Sequence, residues 1–275
     1  SAYRNDLGQV WEYLRTEQGG VVDLAAVSPE LLENYVVNLQ NSSNDYAAST
    51  VARKIAALKS FFSAMVERGV LPLDPAAKLN SPKIKKTAPK TLSADDMDRL
   101  LAAPGRSGSA KSLRDRALLE LLYATGMRVT EIVNLRLDDI DWESGQINCP
   151  GKGERRRRLL PLGPAGEALG EYLHRGRPNF SRDDSPATLF LNHRGQRLTR
   201  QGVWLILKEA AETAGLEADV TPHTLRHSFA KLRAGSGEDL RHLQELLGHA
   251  NISTTQVYRS VAAPDDAPAP VIGAA

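Results

Sequence analysis

The run Thr221-Pro222-His223-Thr224-Leu225-Arg226-His227 sets two imidazoles and a guanidinium within one helical turn of each other. Residues three and four apart share a helix face, so His223 stands beside Arg226 or His227. Two histidines at this spacing also suit zinc. The glutamate of a zinc hydrolase is missing, however, and Arg226 would repel a divalent cation. A purely structural helix pair is a third reading of this run alone. Leu246-Leu247-Gly248-His249 follows, with Gly248 suited to end a helix and His249 at the corner. Tyr258 comes nine residues later. Upstream, Arg128 lies between Gly126 and Glu131, and Glu131 is placed to pair with it. Lys152 stands between Gly151 and Gly153, followed by Glu154 and the arginines Arg155, Arg156, Arg157 and Arg158. Taken alone, Tyr258 reads as a half-buried packing aromatic, Arg128 with Glu131 as a structural ion pair, and the Lys152 turn as a solvated basic turn whose glycines also let the backbone come close to a ligand.

These residues need elements to position them. Thr221 is an N-cap with Pro222 at the first helical position, which predicts a helix over 222–234. Gly126 ends an apolar helix running from Leu113 to Tyr123, and a further helix follows over about 130–135. Gln146–Cys149 and Arg156–Leu162 read as strands joined by the glycine-flanked Lys152 turn. Leu189–Asn192 reads as another strand, with helices over 199–214, 239–247 and about 253–261. Nearer the start, apolar stripes predict helices over Tyr3–Leu14, from Ser28-Pro29, and from a cap at Ser49 or Thr50 to Gly69. The segment 78–90 is a basic, proline-bearing linker with Lys83, Lys85 and Lys86. The Pro- and Ala-rich stretch 264–275 has the composition of a disordered tail.

Taken in order — Arg, Lys, His-x-x-Arg, Gly-His, Tyr — the pieces form a specific pattern. With Ala124–Glu131, Gly151–Gly153, His223–Phe229 and Asp239 through Tyr258, the chain resembles the tyrosine recombinases of the lambda-integrase type, and among them the bacterial Xer group. The first part is similar to that family's helical core-binding domain, notably Ala48–Val70 and Asn80–Lys86. The resemblance implies a mainly α fold with a small β-sheet in the C-terminal domain, arranged as a two-domain DNA clamp. It implies a core-binding SAM-like domain over 1–77, the linker 78–90 and a catalytic domain over 91–263. It further implies that Tyr258 attacks a DNA phosphate to form a 3′-phosphotyrosyl bond. Arg128 and Arg226 then clamp the phosphate, His223 handles the tyrosine proton, Lys152 protonates the leaving 5′-oxygen, and His249 hydrogen-bonds the phosphate. Glu131 and His227 take supporting roles. Neither metal nor other cofactor is implied. The implied partners are double-stranded DNA and a homo- or hetero-tetramer on synapsed sites. Arg53, Lys54 and Lys59, with Lys83, Lys85 and Lys86 of the linker, are expected phosphate contacts. A type IB topoisomerase-like nicking enzyme and a DNA-binding protein without catalysis are the rival readings.

Composition agrees with a globular, DNA-handling protein without demanding one. The 275 residues are 41% hydrophobic and 25% charged, with a net charge of only +2, so any polyanion contact must come from where the charges sit. One cysteine, Cys149, excludes an internal disulfide and a cysteine-based zinc site. No apolar run approaches a membrane span, and no signal peptide is read. The expected location is cytoplasmic, associated with the nucleoid.

Overall fold

A computed structural model of the chain describes residues 2–41, 46–83, 90–105, 107–149, 159–216, 220–236 and 238–247. The chain divides into two compact units, Ser1–Thr87 and Ala88–Ala275.

The first unit is helical: α1 (Ala2–Glu17), α2 (Pro29–Asn41) and α3 (Ala48–Glu67). Ser28 caps α2 by accepting from the Leu31 amide at 3.2 Å. Helix α3 begins one residue before the expected caps. Ala47 holds the cap position, and Ser49 and Thr50 fall inside the first turn, where the Ala47 carbonyl receives the Thr50 and Val51 amides. The apolar faces of these helices meet in a core that includes Leu14, Leu32, Ile55, Leu58 and Phe62. Full burial of a side chain like Phe62 is worth roughly 2 kcal/mol. The stripe on α1 is rotated from the one its apolar residues suggest. Val10 and Leu14 are buried, but Trp11 is 44% exposed, and the buried position one turn before Val10 is Asp6. Asp6 is matched from α3 by Arg53 and by Lys54, whose Nζ lies 3.1 Å from Oδ1.

The second unit is mainly α with a small sheet. Its described elements are α4 (Ala94–Ala102), α5 (Ala110–Thr125), α6 (Val129–Ile132), β1 (Ile140–Asp141), β2 (Gln146–Asn148), β3 (Leu159–Pro161), α7 (Ala165–Glu171), α8 (Arg200–Thr213), α9 (Pro222–Gly235) and α10 (Leu240–Leu247). The strands run antiparallel in the order β1-β2-β3, with Ile147 opposite Ile140 on one side and Leu160 on the other. Helix α5 is the centre of this unit. Leu118, Leu119 and Leu121 are fully buried on it, and it packs on α7, on α9 and on β3.

The segment 189–192 is not a strand. Only isolated bridges, Arg136 with Thr188 and Leu191 with Arg197, touch it. Its backbone groups are divided between separate loops and side chains: the Leu189 amide donates to the Leu135 carbonyl at 2.7 Å, the Asn192 amide to the Gln196 carbonyl at 2.8 Å, and the Phe190 carbonyl accepts from the Leu198 amide at 3.0 Å. The Tyr172 hydroxyl accepts from the Leu191 amide at 3.2 Å, and Arg177 donates to the carbonyls of Leu189 and Thr188 at 3.2 and 2.9 Å. Bonds split in this way among different partners make no continuous ladder. Helix α7 runs on into a π turn over Tyr172–Gly176, which carries Tyr172, and Arg177 opens the 3-10 turn Arg177–Asn179 that follows.

Candidate active site

Arg128 follows Gly126, which ends α5 in the left-handed conformation at φ +58°. The chain then turns sharply, and Arg128 caps the single-turn helix α6. Glu131 closes the turn on both sides: Oε2 accepts from the Arg128 amide at 2.7 Å and Oε1 from Arg128 Nη1 at 3.0 Å. One carboxylate therefore fixes both the backbone and the rotamer of Arg128. Arg128 remains 37% exposed, while Glu131 is largely covered. Burial pushes the Glu131 carboxyl above its ordinary value, opposed by the Arg128 amide, by the charges of Arg128 and Arg226, and by a hydrogen bond with the Cys149 thiol. Cys149 is fully buried, and burial, then the Glu131 charge, push its thiol up to about 12.

Helix α9 supplies the second set. Thr221 and Thr224 cap it reciprocally: Thr221 Oγ1 accepts from the Thr224 amide at 3.2 Å, and Thr224 Oγ1 accepts from the Thr221 amide at 3.1 Å. With Pro222 at the first position, this fixes where the helix starts and hence which way its residues face. Arg226 is 4% exposed. It donates from Nη1 to the Gly126 carbonyl at 2.6 Å and from Nη2 to the Leu247 carbonyl at the end of α10. One guanidinium therefore ties together the Arg128 turn, α9 and α10. Arg128 and Arg226, far apart in sequence, both act on Glu131. His223 is exposed on the first turn of α9, its ring 6.4 Å from that of His227. His227 is held below its ordinary value by burial first, then by His223 and Arg226. His223, Pro222 and Val129, the neighbour of Arg128, line one shallow groove with Thr199, Arg200 and Trp204.

The sequence profile of the phage integrase family matches residues 90–264, and that of the N-terminal SAM-like domain of phage integrases matches residues 1–69. The chain belongs to the phage integrase family. Tyrosine recombinase XerC of Roseiflexus castenholzii is 46% identical over 94% of this chain and 81% of its own length. Tyrosine recombinase XerD of Listeria innocua is 43% identical over 94% of this chain and 86% of its own. Among solved structures, XerH recombinase bound to difH in a pre-cleavage complex matches with a TM-score of 0.69 at 25% identity, over 94% of this chain and 74% of that one. A lambda integrase dimer on a COC′ core site, 18% identical, shares the fold with a TM-score of 0.67, over 97% of this chain and 92% of that one.

In this phage integrase chain the structure brings Arg128, Glu131, His223, Arg226 and His227 to one region. Lys152, His249 and Tyr258 lie outside the described residues. Lys152 falls in sequence between the paired strands β2 and β3, and His249 and Tyr258 follow α10. Among the described residues, no three His, Cys, Asp or Glu side chains gather as a metal site, and no helix is long and apolar enough to cross a membrane.

The expected phosphate contacts fare differently from one another. Lys54 is 4% exposed, engages Asp6 and Gln9, and lies over the Tyr46 ring. Its charge is used inside the unit, which removes it as a surface contact. Arg53 is half-exposed and pairs with the same Asp6. Lys59 donates to the Ala77 carbonyl at 3.1 Å from an exposed position, and Lys83 is exposed. Lys85 and Lys86 lie outside the described residues. Three groove residues escaped the sequence reading: Arg200, Gln201 and Trp204, at the start of α8. Trp204 is 41% exposed, and an open tryptophan near a Thr-capped helix start was the available signal.

Proposed function

We propose that this chain is a site-specific DNA recombinase that breaks and rejoins strands through Tyr258. The observation that carries the reading is the meeting of Arg128 and Arg226 at one turn, where Arg226 bonds the Gly126 carbonyl and Glu131 holds Arg128, beside a groove lined by His223. Two guanidiniums at one place suit the two nonbridging oxygens of a phosphodiester, whose charge rises in the transition state.

In this mechanism the Tyr258 oxygen attacks phosphorus in line. The new bond is Tyr258 Oη–P and the broken bond is P–O5′. The tyrosine proton passes to His223, and Lys152 gives a proton to the departing 5′-oxygen. His249 donates to the phosphate, and Arg128 and Arg226 hold its nonbridging oxygens. A 5′-hydroxyl from another strand then reverses the step. Bond energy is kept in the phosphotyrosine, so the step draws on no nucleotide triphosphate. Glu131 holds Arg128, and His227 supports the helix face. The partners are double-stranded DNA and three further recombinase subunits on paired sites, with a place beside the nucleoid. Residues 1–77 form the core-binding domain, 78–90 the linker, 91–263 the catalytic domain and 264–275 a tail. Arg53, Lys59, Lys83, Lys85 and Lys86 follow the phosphate backbone. The named Xer relatives favour strand exchange over a topoisomerase-like nicking activity.

A nicked duplex carrying the target site tests this. Wild-type protein is expected to form a covalent adduct that is absent from Tyr258→Phe and indifferent to chelator. Adduct formation abolished by chelator, or persisting in Tyr258→Phe, would overturn it.

A further inference from the structure

Leu92 stands near the start of the second unit, two residues past the 78–90 connector. There the Leu92 amide donates to Ser228 Oγ at 3.0 Å, although 136 residues separate them. Ser228 in turn donates to the Thr224 carbonyl at 2.9 Å, one turn back along α9. Ser228 is 7% exposed, so neither bond is easily replaced by water. Beside this bond the Leu92 side chain packs on the main core of the second unit. Helix α9 is the one that carries His223, Arg226 and His227. Leu92, two residues past the 78–90 connector, is therefore held by the catalytic helix itself, within two residues of Arg226.

We propose that Ser228 is a positioning residue that couples the connector to the phosphate-clamping helix. DNA held by the first unit pulls on or settles the connector, and the Leu92–Ser228 bond passes that placement to His223 and Arg226. Coupling of this kind travels through packed side chains and hydrogen bonds, and Leu92, Ser228 and Thr224 form such a chain. This inference rests on the reading of α9 as the helix that meets the phosphate. Loss of adduct formation in His223 and Arg226 variants tests that reading separately.

The test uses the full chain and a nicked duplex, with single-turnover cleavage and DNA affinity measured side by side. Ser228→Ala is expected to slow cleavage about tenfold, with DNA affinity unchanged, as a coupling of ordinary size would. Ser228→Thr keeps the hydroxyl and is expected to restore the rate. A short Gly-Ser insertion between Lys90 and Thr91 should slow the wild type and add nothing in Ser228→Ala, because the contact that reads the connector is already gone. Wild-type cleavage by Ser228→Ala, or multiplicative losses when the two changes are combined, would overturn the proposal. The insertion leaves Ser228 in place, so it decides even if Ser228→Ala does not fold: unaltered cleavage with the longer connector would sink the idea.

Discussion

The Arg226 guanidinium donates from Nη1 to the carbonyl of Gly126, 2.6 Å away and 100 residues earlier in the chain. That carbonyl belongs to the turn from which Arg128 projects, so a backbone bond registers the two arginines against each other. Replacing Arg226 by lysine keeps the charge and loses the fork. Arg226→Lys is expected to lose adduct formation and also to destabilise the second unit by about 1–3 kcal/mol, the cost of leaving buried carbonyls unpaired. Urea unfolding reads the second effect independently of any DNA. An unchanged midpoint would show that the carbonyl bonds do not hold the turn.

Gly126 is constrained twice. Its φ of +58° strains any L side chain, and a Cβ there would meet Phe229 Cδ1 at 2.5 Å. Gly126→Ala is expected to cost about 2–4 kcal/mol, the sum of a left-handed backbone and an overpacked contact. Gly145, at φ +62° with nothing near its missing Cβ, serves as the comparison: Gly145→Ala should cost only about 1 kcal/mol. Combining Gly126→Ala with Phe229→Leu should recover part of the loss. Equal costs at the two glycines would discard the steric account.

Lys54 and Asp6 form a buried pair, with Arg53 on the same carboxylate. Lys54→Met is expected to destabilise the first unit by about 3 kcal/mol, because it strips a buried carboxylate of a partner. Asp6→Asn added to Lys54→Met should return some of that stability. Duplex binding by the folded fraction of Lys54→Met, measured by fluorescence anisotropy, should match the wild type. A specific loss of affinity would restore Lys54 to the DNA surface.

The placement of Arg128, His223 and Arg226 was legible, because their signals are local. Gly126, Thr221-Pro222 and the Glu131 spacing act within a turn of the residues they place, and the helix ends fell where they point. Apart from the start of α3, where Ala47 holds the cap position, the misreadings came from distant partners. A lysine on α3 reads the same whether it faces water or an aspartate on α1, so the burial of Lys54 had no sequence signal. The same holds for 189–192, whose apolar residues suit a strand, yet its backbone bonds are split among Leu135, Gln196, Leu198, Tyr172 and Arg177. Trp11 counted toward the α1 stripe by type, yet the buried face is chosen by Asp6 and its α3 partners.

His227 gives a pH signature. Its folded value lies below the ordinary 6.5, through burial first, then His223 and Arg226. A depressed base leaves the unfolded chain binding more protons, so its contribution to stability is complete above 6.5 and is lost as pH falls below it toward the folded value. Glu131 slopes the other way. Its raised carboxyl favours the folded state as pH falls through its folded value toward 4.5. Imidazole NMR should find His227 titrating below a free histidine, and His223→Gln should move it upward. A midpoint for His227 at or above 6.5 would contradict the burial and charge around it.

The buried thiol of Cys149 has a practical corollary. The chain has one cysteine, and it is sealed in the core with its ionisation pushed up to about 12. Dye-bearing maleimides react with exposed thiolates, so the native protein is close to blank for them. Cysteines introduced at Val37 and Leu205, 51% and 53% exposed in the first and second units, become selective handles with no native residue to remove. A donor and an acceptor fluorophore at those positions would report the separation of the two units while the protein meets its DNA.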